Sequence, residues 1–198
     1  MFNGLSNSKK KMFLGIANGH ITYRAGKDAE PQNFENLDGK IAGITPRDAN
    51  INGQVMKLYD ISITDNNGEE AVLSVIADGG VARGLILALA NIPDFKKPVR
   101  IRAYSQVDGE RSYTNTMVYQ DGNKVPWIIK MEDLPKGVPV MVNGRPFVSN
   151  GKPQYDFSER NAVIDEYVKK INDAIAAVST DGGGSVDFEE DDLPATSM

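Results

Sequence analysis

The sequence contains no cysteine, and histidine and tryptophan occur once each, as His20 and Trp127. Without cysteine the chain cannot form disulfides, zinc–thiolate sites or a thiol nucleophile, and this composition is typical of a reducing compartment. One histidine without cysteine ligands also argues against a transition-metal site. We therefore expect a protein without a metal or any other cofactor.

Long apolar runs are also missing. No segment approaches the roughly 20 consecutive apolar residues that a membrane-spanning helix needs. The apolar stretch 12–16 follows Lys9, Lys10 and Lys11, and it is too short and too interrupted by glycine to be a signal peptide. We expect a cytoplasmic protein with no membrane partner.

The common catalytic motifs are absent as well. The chain has no GxxxxGK[ST] phosphate-binding loop and no GxSxG nucleophile motif. Asp60 and Asp65 could hold magnesium, but acidic residues at strand ends more often form turns. We therefore expect that the protein is not an enzyme, with a small nuclease or phosphoesterase as the least favoured alternative.

Glycine and proline, by contrast, are frequent, with 19 and 10 of the 198 residues, and they indicate many turns and a β-rich fold. The net charge of −5 is concentrated at the C-terminus, because residues 179–198 contain six acidic residues and no basic one. Without those six, the 27 acidic residues fall to 21, against 22 basic ones. Such an asymmetry is typical of an interaction tail attached to a nearly neutral body.

The hydrophobic pattern predicts a mainly β protein with one or two helices. Strands are expected over residues 12–17, 20–24, 40–47, 54–64, 70–77, 98–107, 110–120 and 123–130. A buried helix is expected over 79–91, between the third and fourth core strands, and a second helix over 158–178. This order is that of the OB-fold, a five-stranded Greek-key barrel, here with extra hairpins and a C-terminal helix.

Four regions follow from this pattern. They are an N-terminal hairpin extension (1–39), an OB-fold core (40–130), β additions with a C-terminal helix (131–178) and a flexible acidic tail (179–198). The last helix carries a stripe formed by Ile164, Val168, Ile171, Ile175 and Val178. Packing of this stripe on the barrel is favoured over a dimerisation helix, although a homo-oligomer stays open.

The candidate binding residues lie on the hairpin 98–120. If Asp108-Gly109 forms a two-residue turn, Tyr104 lies opposite Tyr113. Because side chains alternate across a sheet, eight residues then share one side, and small or apolar residues from Val99 to Val118 fill the other. The eight are Arg100, Arg102, Tyr104, Gln106, Arg111, Tyr113, Asn115 and Met117.

A second two-residue turn, Asp121-Gly122, places Tyr119 opposite Lys124 and adds both residues to this side. We call the resulting surface the Arg/Tyr face; it consists of Arg100, Arg102, Tyr104, Arg111, Tyr113, Tyr119 and Lys124. Cations along a groove and flat rings for stacking are what sequence-tolerant binding of single-stranded nucleic acid requires. The alternative is an ordinary solvent-facing sheet, where tyrosine and arginine are also common.

Two further residues, Lys57 and Tyr59, share one side of the second core strand and are weaker candidates for the same binding surface. They are weaker because Ile61 and Ile63 follow on that side, so a bulge would be needed. Trp127 has the alternation of the core side, which favours packing over stacking.

The C-terminal segment reads Asp181-Gly182-Gly183-Gly184-Ser185 and then continues to Asp187, Phe188, Glu189, Glu190, Asp191, Asp192, Leu193 and Pro194. With this tail, the chain resembles the single-stranded DNA-binding proteins of bacteria and their phages. That resemblance implies an OB core and an acidic tail whose residues Phe188 to Pro194 recruit replication or recombination proteins. It also implies a role in DNA replication, recombination and repair.

The ending departs from the bacterial pattern. Ala195-Thr196-Ser197-Met198 follows the proline, where bacterial members place a terminal aromatic residue, and the tail's own aromatic residue, Phe188, precedes the acidic residues. A bacteriophage member with its own partner proteins is therefore expected. The main alternative is a protein-interaction or virion-structural module that does not bind nucleic acid, with a tail that serves solubility.

Overall fold

The computed structural model describes residues 11–26, 28–149 and 151–180, which form a mainly β structure with two helices. The main sheet contains β1 (Met12–Ala17), β2 (His20–Tyr23), β3 (Gln32–Phe34), β4 (Asn36–Ile51), β5 (Gln54–Thr64), β6 (Glu70–Ile76), β7 (Val99–Asp108), β8 (Arg111–Gln120) and β9 (Asn123–Lys124). The helices are α1 (Gly80–Leu89) and α2 (Ser158–Thr180). Neither helix is long and apolar enough to cross a membrane, as far as the described residues go.

Six two-residue strands lie between β9 and α2. They are β10 (Val138–Pro139), β11 (Met141–Val142), β12 (Arg145–Pro146), β13 (Val148–Ser149), β14 (Lys152–Pro153) and β15 (Tyr155–Asp156).

The nine strands of the main sheet follow the order β3-β2-β1-β6-β5-β4-β7-β8-β9. All neighbours are antiparallel except β1 and β6, which run parallel. The long strand β4 pairs with β5 and, through residues 36–39, with β7. Two hairpins that are far apart in sequence, β5–β6 and β7–β8, are thereby joined by one strand.

The hydrophobic core lies on one side of this curved sheet. Ile44, Ile61 and Leu73 are aligned across β4, β5 and β6, and each is buried. Helix α1 is buried on nearly all sides and packs against β8 and β6, as expected for a sequence with no polar side between Gly84 and Leu89. Burial of apolar side chains of this kind is the main stabilising contribution to folding.

Helix α2 covers β4 and α1 through the predicted stripe. Ile164, Val168 and Ile171 are buried, and Ile175 packs against the edge of the same core. The Asn172 side chain fixes the helix to β4, because its Nδ2 donates to the Ile44 carbonyl and its Oδ1 accepts the Ile44 N–H, at 2.8 and 2.9 Å. The prediction that this helix packs on the sheet is confirmed.

The turn of the N-terminal hairpin contacts β7 and β8, which are not neighbours of β1 and β2 in the strand order of the sheet. Its Asn18-Gly19 turn has positive φ at both residues, as a two-residue hairpin requires. The Gly19 N–H donates to Thr114 Oγ1 at 3.1 Å, and a Cβ at Gly19 would collide with Ser105. The β1–β2 hairpin therefore pairs with β6 at one end and touches β7–β8 at the other.

Two parts of the expected strand pattern are wrong. The polar residues 26–38, between the strands expected at 20–24 and 40–47, predict a loop, but they contain β3 and the start of β4. The pairing of β4 with β7 is non-local and leaves no local hydrophobic pattern. The strand expected over 123–130 ends at Lys124. After Val125, whose N–H still bonds to Val118, Pro126 has no N–H to continue the ladder.

Residues 138–158 consist of three seven-residue repeats that the sequence analysis missed: VPVMVNG, RPFVSNG and KPQYDFS. Each of the strands β10, β12 and β14 opens a repeat and pairs with the fourth and fifth residues of the preceding repeat, with β10 pairing back to β15. Three backbone hydrogen bonds close a ring at the centre: Val140 N–H to Gln154, Phe147 N–H to Val140, and Gln154 N–H to Phe147, at 2.9, 2.7 and 2.9 Å. We call residues 138–156 the three-repeat module.

The contact at Gly19 predicts a local stability effect. Replacing Gly19 with Ala introduces both backbone strain at φ 75° and a collision with Ser105, whereas Gly53 has a similar φ of 82° with open space around it. We expect Gly53→Ala to cost about 1–2 kcal/mol through φ alone and Gly19→Ala to cost roughly 1–3 kcal/mol more through overpacking. Urea denaturation of both variants measures this difference, and equal losses would contradict the hairpin contact.

Candidate nucleic-acid interface

The Arg/Tyr face forms on the solvent side of β7, β8 and β9. Arg100 lies opposite Tyr119, and Tyr119 lies opposite Lys124, so one row of side chains crosses three strands. On the other side Val99, Ile101, Ala103 and Val118 are buried. The alternation predicted from the sequence therefore holds in this part of the hairpin.

The predicted turn was displaced by one residue. The two turn residues are Gly109 and Glu110, so Asp108 stays in β7 and pairs with Arg111. Gly109 has φ 60° as the first turn residue, where a type II′ turn prefers glycine. Tyr104 consequently lies opposite Asn115, and Tyr113 lies opposite Gln106. The two tyrosines are diagonal neighbours on the same side rather than direct partners.

The outer end of the hairpin has no core beneath it. Val107 is 71% exposed and Ser105 and Ser112 are also exposed, although all three belong to the predicted core side. Tyr113 is 45% exposed, whereas Tyr104 is half-buried. This end of the hairpin extends past the sheet and presents both of its sides to solvent.

A first groove, of about 980 Å³, crosses the base of the Arg/Tyr face between the start of β4, the β5–β6 turn and the β8–β9 turn. Its charges are mixed, because Arg100 and Arg102 share it with four acidic residues: Glu35, Asp38, Asp65 and Asp121. Arg100 is bound to Asp38 by two hydrogen bonds, Nε to Oδ1 at 2.7 Å and Nη2 to Oδ2 at 2.9 Å. The hydrogen bond to Asp38, followed by the charge of that carboxylate, raises the pKa of Arg100.

Arg102 is paired less closely, with its Nη2 4.0 Å from Glu35 Oε2. Arg111 and Lys124 have no carboxylate within 4.0 Å in the described part of the chain. Two cations of the face are therefore available to an anionic ligand, and two are already engaged.

A second groove, of about 720 Å³, lies beside the first along the free edge of β8. Tyr104, Met117 and Lys124 contribute from the Arg/Tyr face, and Trp127 and Lys130 contribute from the segment after β9. Since Met117 is paired with Arg102, and Lys124 with Tyr119, the two grooves adjoin on one continuous surface.

Trp127 is the residue whose role the sequence analysis did not anticipate. Its indole ring contacts Gly84 of α1, where an added Cβ would lie 3.4 Å from Cζ2, which agrees with the predicted packing. The side chain is nevertheless 44% exposed and lines the second groove together with Tyr104. Strand alternation could not reveal this, because the strand ends before Trp127.

Lys57 and Tyr59 do not belong to the Arg/Tyr face, and this expectation is corrected. Tyr59 is 1% exposed on the core side, where its hydroxyl donates to Asp165 Oδ1 of α2 at 2.7 Å. Lys57 Nζ donates to both oxygens of the same carboxylate at 2.6 Å. These two side chains attach α2 to β5. Tyr59 lies on the buried side that also holds Ile61 and Ile63.

The remaining predicted residues fall in two groups. The tail residues Phe188, Glu189, Glu190, Asp191, Asp192, Leu193 and Pro194 lie outside the described residues. Asp60, considered for magnesium, accepts hydrogen bonds from Arg47 and from Ser74 Oγ. No group of three or more potential metal ligands occurs in the described part of the chain.

Comparisons with known proteins give no further guide: no family model, no curated protein and no solved structure matches this chain.

The Tyr59–Asp165 contact predicts a pH effect on stability. Burial, and then the hydrogen bond to Asp165, raise the pKa of Tyr59 well above its ordinary value of 10.0. Above about pH 10 the tyrosine of the unfolded chain loses its phenol proton while Tyr59 of the folded chain keeps it, so the free energy of unfolding falls as pH rises. Tyr59→Phe removes this contribution. Urea denaturation at about pH 9 and about pH 11 should show a larger loss for the wild type than for the variant, and parallel losses would contradict the assignment.

Proposed function

We propose that this protein binds single-stranded DNA without sequence preference and without chemistry, on the surface formed by the Arg/Tyr face and Trp127. The observation that carries the proposal is the gathering of three arginines, three tyrosines and Lys124 on one side of β7, β8 and β9, with core on the other side at Val99, Ile101, Ala103 and Val118. An exposed base can stack on any ring, and any phosphate can pair with a cation, so such a surface tolerates sequence.

The fold supports the proposal through its order of elements. We infer an OB-fold-like five-stranded Greek-key barrel built from β4, β5, β6, β7 and β8, with α1 between its third and fourth strands. The N-terminal hairpin would complete the closure, because β1 pairs with β6 while the β1–β2 turn contacts Thr114 of β8. In this arrangement the Arg/Tyr face lies on the outer surface of the barrel.

The second groove is the better place for bases. Tyr104 and Trp127 supply two rings, and Lys124 and Lys130 supply two cations next to them. The one acidic residue among those that line this groove is Glu132, whose Oε1 lies 3.5 Å from Lys130 Nζ. Bases stacked there would leave their phosphates free to follow the row from Lys124 towards Arg100 and Arg102.

The first groove would moderate affinity. A DNA phosphate that approaches Arg100 must displace the Asp38 carboxylate or share Arg100 with it. The other three acidic residues of this groove repel the phosphates of the DNA backbone. Single-stranded DNA on this surface is therefore bound reversibly and with strong dependence on salt.

In the cell we propose a role in DNA replication, recombination and repair, most simply in a bacteriophage-infected bacterium. The protein would cover single strands, and its acidic tail, residues 179–198, would recruit replication or recombination proteins. The competing interpretation, a protein-interaction or virion-structural module, is favoured by the exposed apolar residues of the three-repeat module. It predicts no affinity for oligo-dT.

Loss of either ring in the second groove should weaken binding. We expect Tyr104→Ala and Trp127→Ala each to lower the affinity for oligo-dT by roughly 5- to 150-fold, since stacking contributes about 1–3 kcal/mol per base. Phe13→Ala is the matched control, because Phe13 is an exposed ring, 62% accessible, on β1 and outside both grooves. Fluorescence anisotropy at low and high salt measures the affinities.

The control and the unfolding temperature distinguish the outcomes. Variants that melt like the wild type and bind oligo-dT equally well would refute the assignment of the surface. Absence of binding by the wild type at low salt would refute the function itself.

The Asp38–Arg100 pair predicts a gain. Asp38→Asn removes the carboxylate that occupies Arg100, so the affinity for oligo-dT should rise severalfold, and the slope of log K against log salt should steepen by about 0.7 for one added phosphate contact. Asp48→Asn, an exposed acidic residue on the distant half of β4, is the control for the change in net charge. An equal gain from both variants would mean that Arg100 makes no direct contact.

A further inference from the structure

The three-repeat module is a surface without a partner in this chain. None of its described residues is buried, and six apolar side chains are 44–58% exposed: Val138, Met141, Val142, Phe147, Val148 and Tyr155. The module is held by backbone hydrogen bonds rather than by a core of its own. An exposed apolar surface of this kind is typical of a docking site.

The module also carries two cations. Arg145 and Lys152 occupy the first position of the second and third repeats, and neither has a carboxylate within 4.0 Å in the described part of the chain. Arg145 lies opposite the exposed Val142, and Lys152 lies opposite Ser149. Asp156 is the module's one acidic residue, and its carboxylate accepts the Ser158 N–H at 2.8 Å.

Positive charge continues at the base of the module. Phe157 packs against Gly137, and the Arg160 guanidinium lies 3.8 Å from the centre of the Phe157 ring. The Nε atoms of Arg160 and Arg83 are buried without a hydrogen-bond partner. Burial lowers the pKa of both arginines, and for Arg83 the charge of Arg160 lowers it further.

The N-terminus of α1 adds to this charge. It has no side-chain cap and no acidic residue in its first turn, and Asp78 directly precedes the N-cap residue Gly79. The Asp78 carboxylate accepts a hydrogen bond from Asn161 Nδ2 at 2.6 Å, so one negative charge faces the positive end of the helix dipole and the two arginines. Together with the module this zone is suited to a ligand that combines acidic and apolar side chains.

The C-terminal tail has that chemistry. Between Ser185 and Pro194 it contains five acidic residues, and Val186, Phe188 and Leu193 are placed among them. No other segment of the chain combines acidic and apolar residues so densely without a basic one. Charge complementarity therefore selects the tail as the occupant of the module.

The distance along the chain indicates that the tail comes from another copy. The base of the module lies at the N-terminal end of α2, and this helix of 23 residues is about 34 Å long. Phe188 follows Thr180 by eight residues, which span at most about 28 Å when fully extended. Phe188 and the residues before it therefore cannot reach the base of their own module along the helix, whereas residues 191–194, which follow Thr180 by 11 to 14 positions, can. The base of a second copy's module is the one that the whole segment 185–194 can contact.

We propose that the acidic tail of one copy, residues 185–194, binds the three-repeat module and the adjoining Arg83–Arg160 zone of a second copy. This head-to-tail contact joins different surfaces on each copy, so it can continue from copy to copy in an open series. It does not depend on the proposed DNA binding, since the module lies outside the Arg/Tyr face.

Two full-length variants test the proposal in the absence of DNA. The first replaces the tail carboxylates by amides: Asp187→Asn, Glu189→Gln, Glu190→Gln, Asp191→Asn and Asp192→Asn. The second is Arg145→Glu with Lys152→Glu. The control with the same change of charge is Arg24→Glu with Lys169→Glu, at exposed positions away from the module.

Sedimentation velocity at low salt should show that the wild type and the control associate as concentration rises, and that each test variant stays monomeric. A mixture of the two test variants should form a one-to-one complex, because one retains the module and the other retains the tail. A monomeric wild type, association of either test variant alone, or no complex in the mixture would overturn the proposal.

The same variants separate this proposal from nucleic-acid binding. If Arg145→Glu with Lys152→Glu lowers the affinity for oligo-dT in the tail-amide background, the module is a DNA surface and the proposal fails. If oligo-dT binding is absent in every variant while association follows the expected pattern, the function proposed above fails and the tail–module contact stands.

Discussion

The alternation of side chains along β7 and β8 is the constraint on which the candidate site depends. In a strand, neighbouring side chains point to opposite sides, so the buried residues Val99, Ile101 and Val118 determine where the others point. Arg100, Arg102 and Tyr119 are turned to solvent because their neighbours are required in the core. The position of the Arg/Tyr face is thus a consequence of the hydrophobic pattern that folds the sheet.

This constraint also explains why a displaced turn left the prediction of the surface intact. Moving a two-residue turn by one position changes each cross-strand partner by two residues, and a shift of two preserves the side on which every residue lies. Tyr104 therefore changed its partner from Tyr113 to Asn115 without leaving the face. The set of residues on a face is predictable from sequence even where their exact pairing is not.

Other features could not be predicted because they depend on contacts between distant segments. The hydroxyl of Tyr59 is bound by Asp165, which is 106 positions away in the sequence. The pattern of a strand does not show that a helix will cover one of its residues. Trp127 lies just after the ladder ends at Pro126, where alternation no longer applies. The three-repeat module is different, since its repeats were visible in the sequence, and a search for internal repeats would have found them.

The charges of the molecule show a common organisation. The body is nearly neutral because its cations and acidic residues are interleaved, as Arg100 and Asp38 are, while the excess negative charge lies in residues 179–198. Among the described residues, Arg111 and Lys124 on the Arg/Tyr face and Arg145 and Lys152 on the module have no carboxylate within 4.0 Å. We propose the first pair for single-stranded DNA and the second for the acidic tail.

Ultraviolet cross-linking of oligo-dT to the full-length protein, followed by mass spectrometry of the peptides, tests the central claim most directly. Our account predicts cross-links at Tyr104, Tyr113 or Trp127, because stacked bases contact these rings. Cross-links confined to residues outside both grooves and outside the outer end of the β7–β8 hairpin would show that DNA lies on another surface. They would contradict the assignment even if the protein binds DNA tightly.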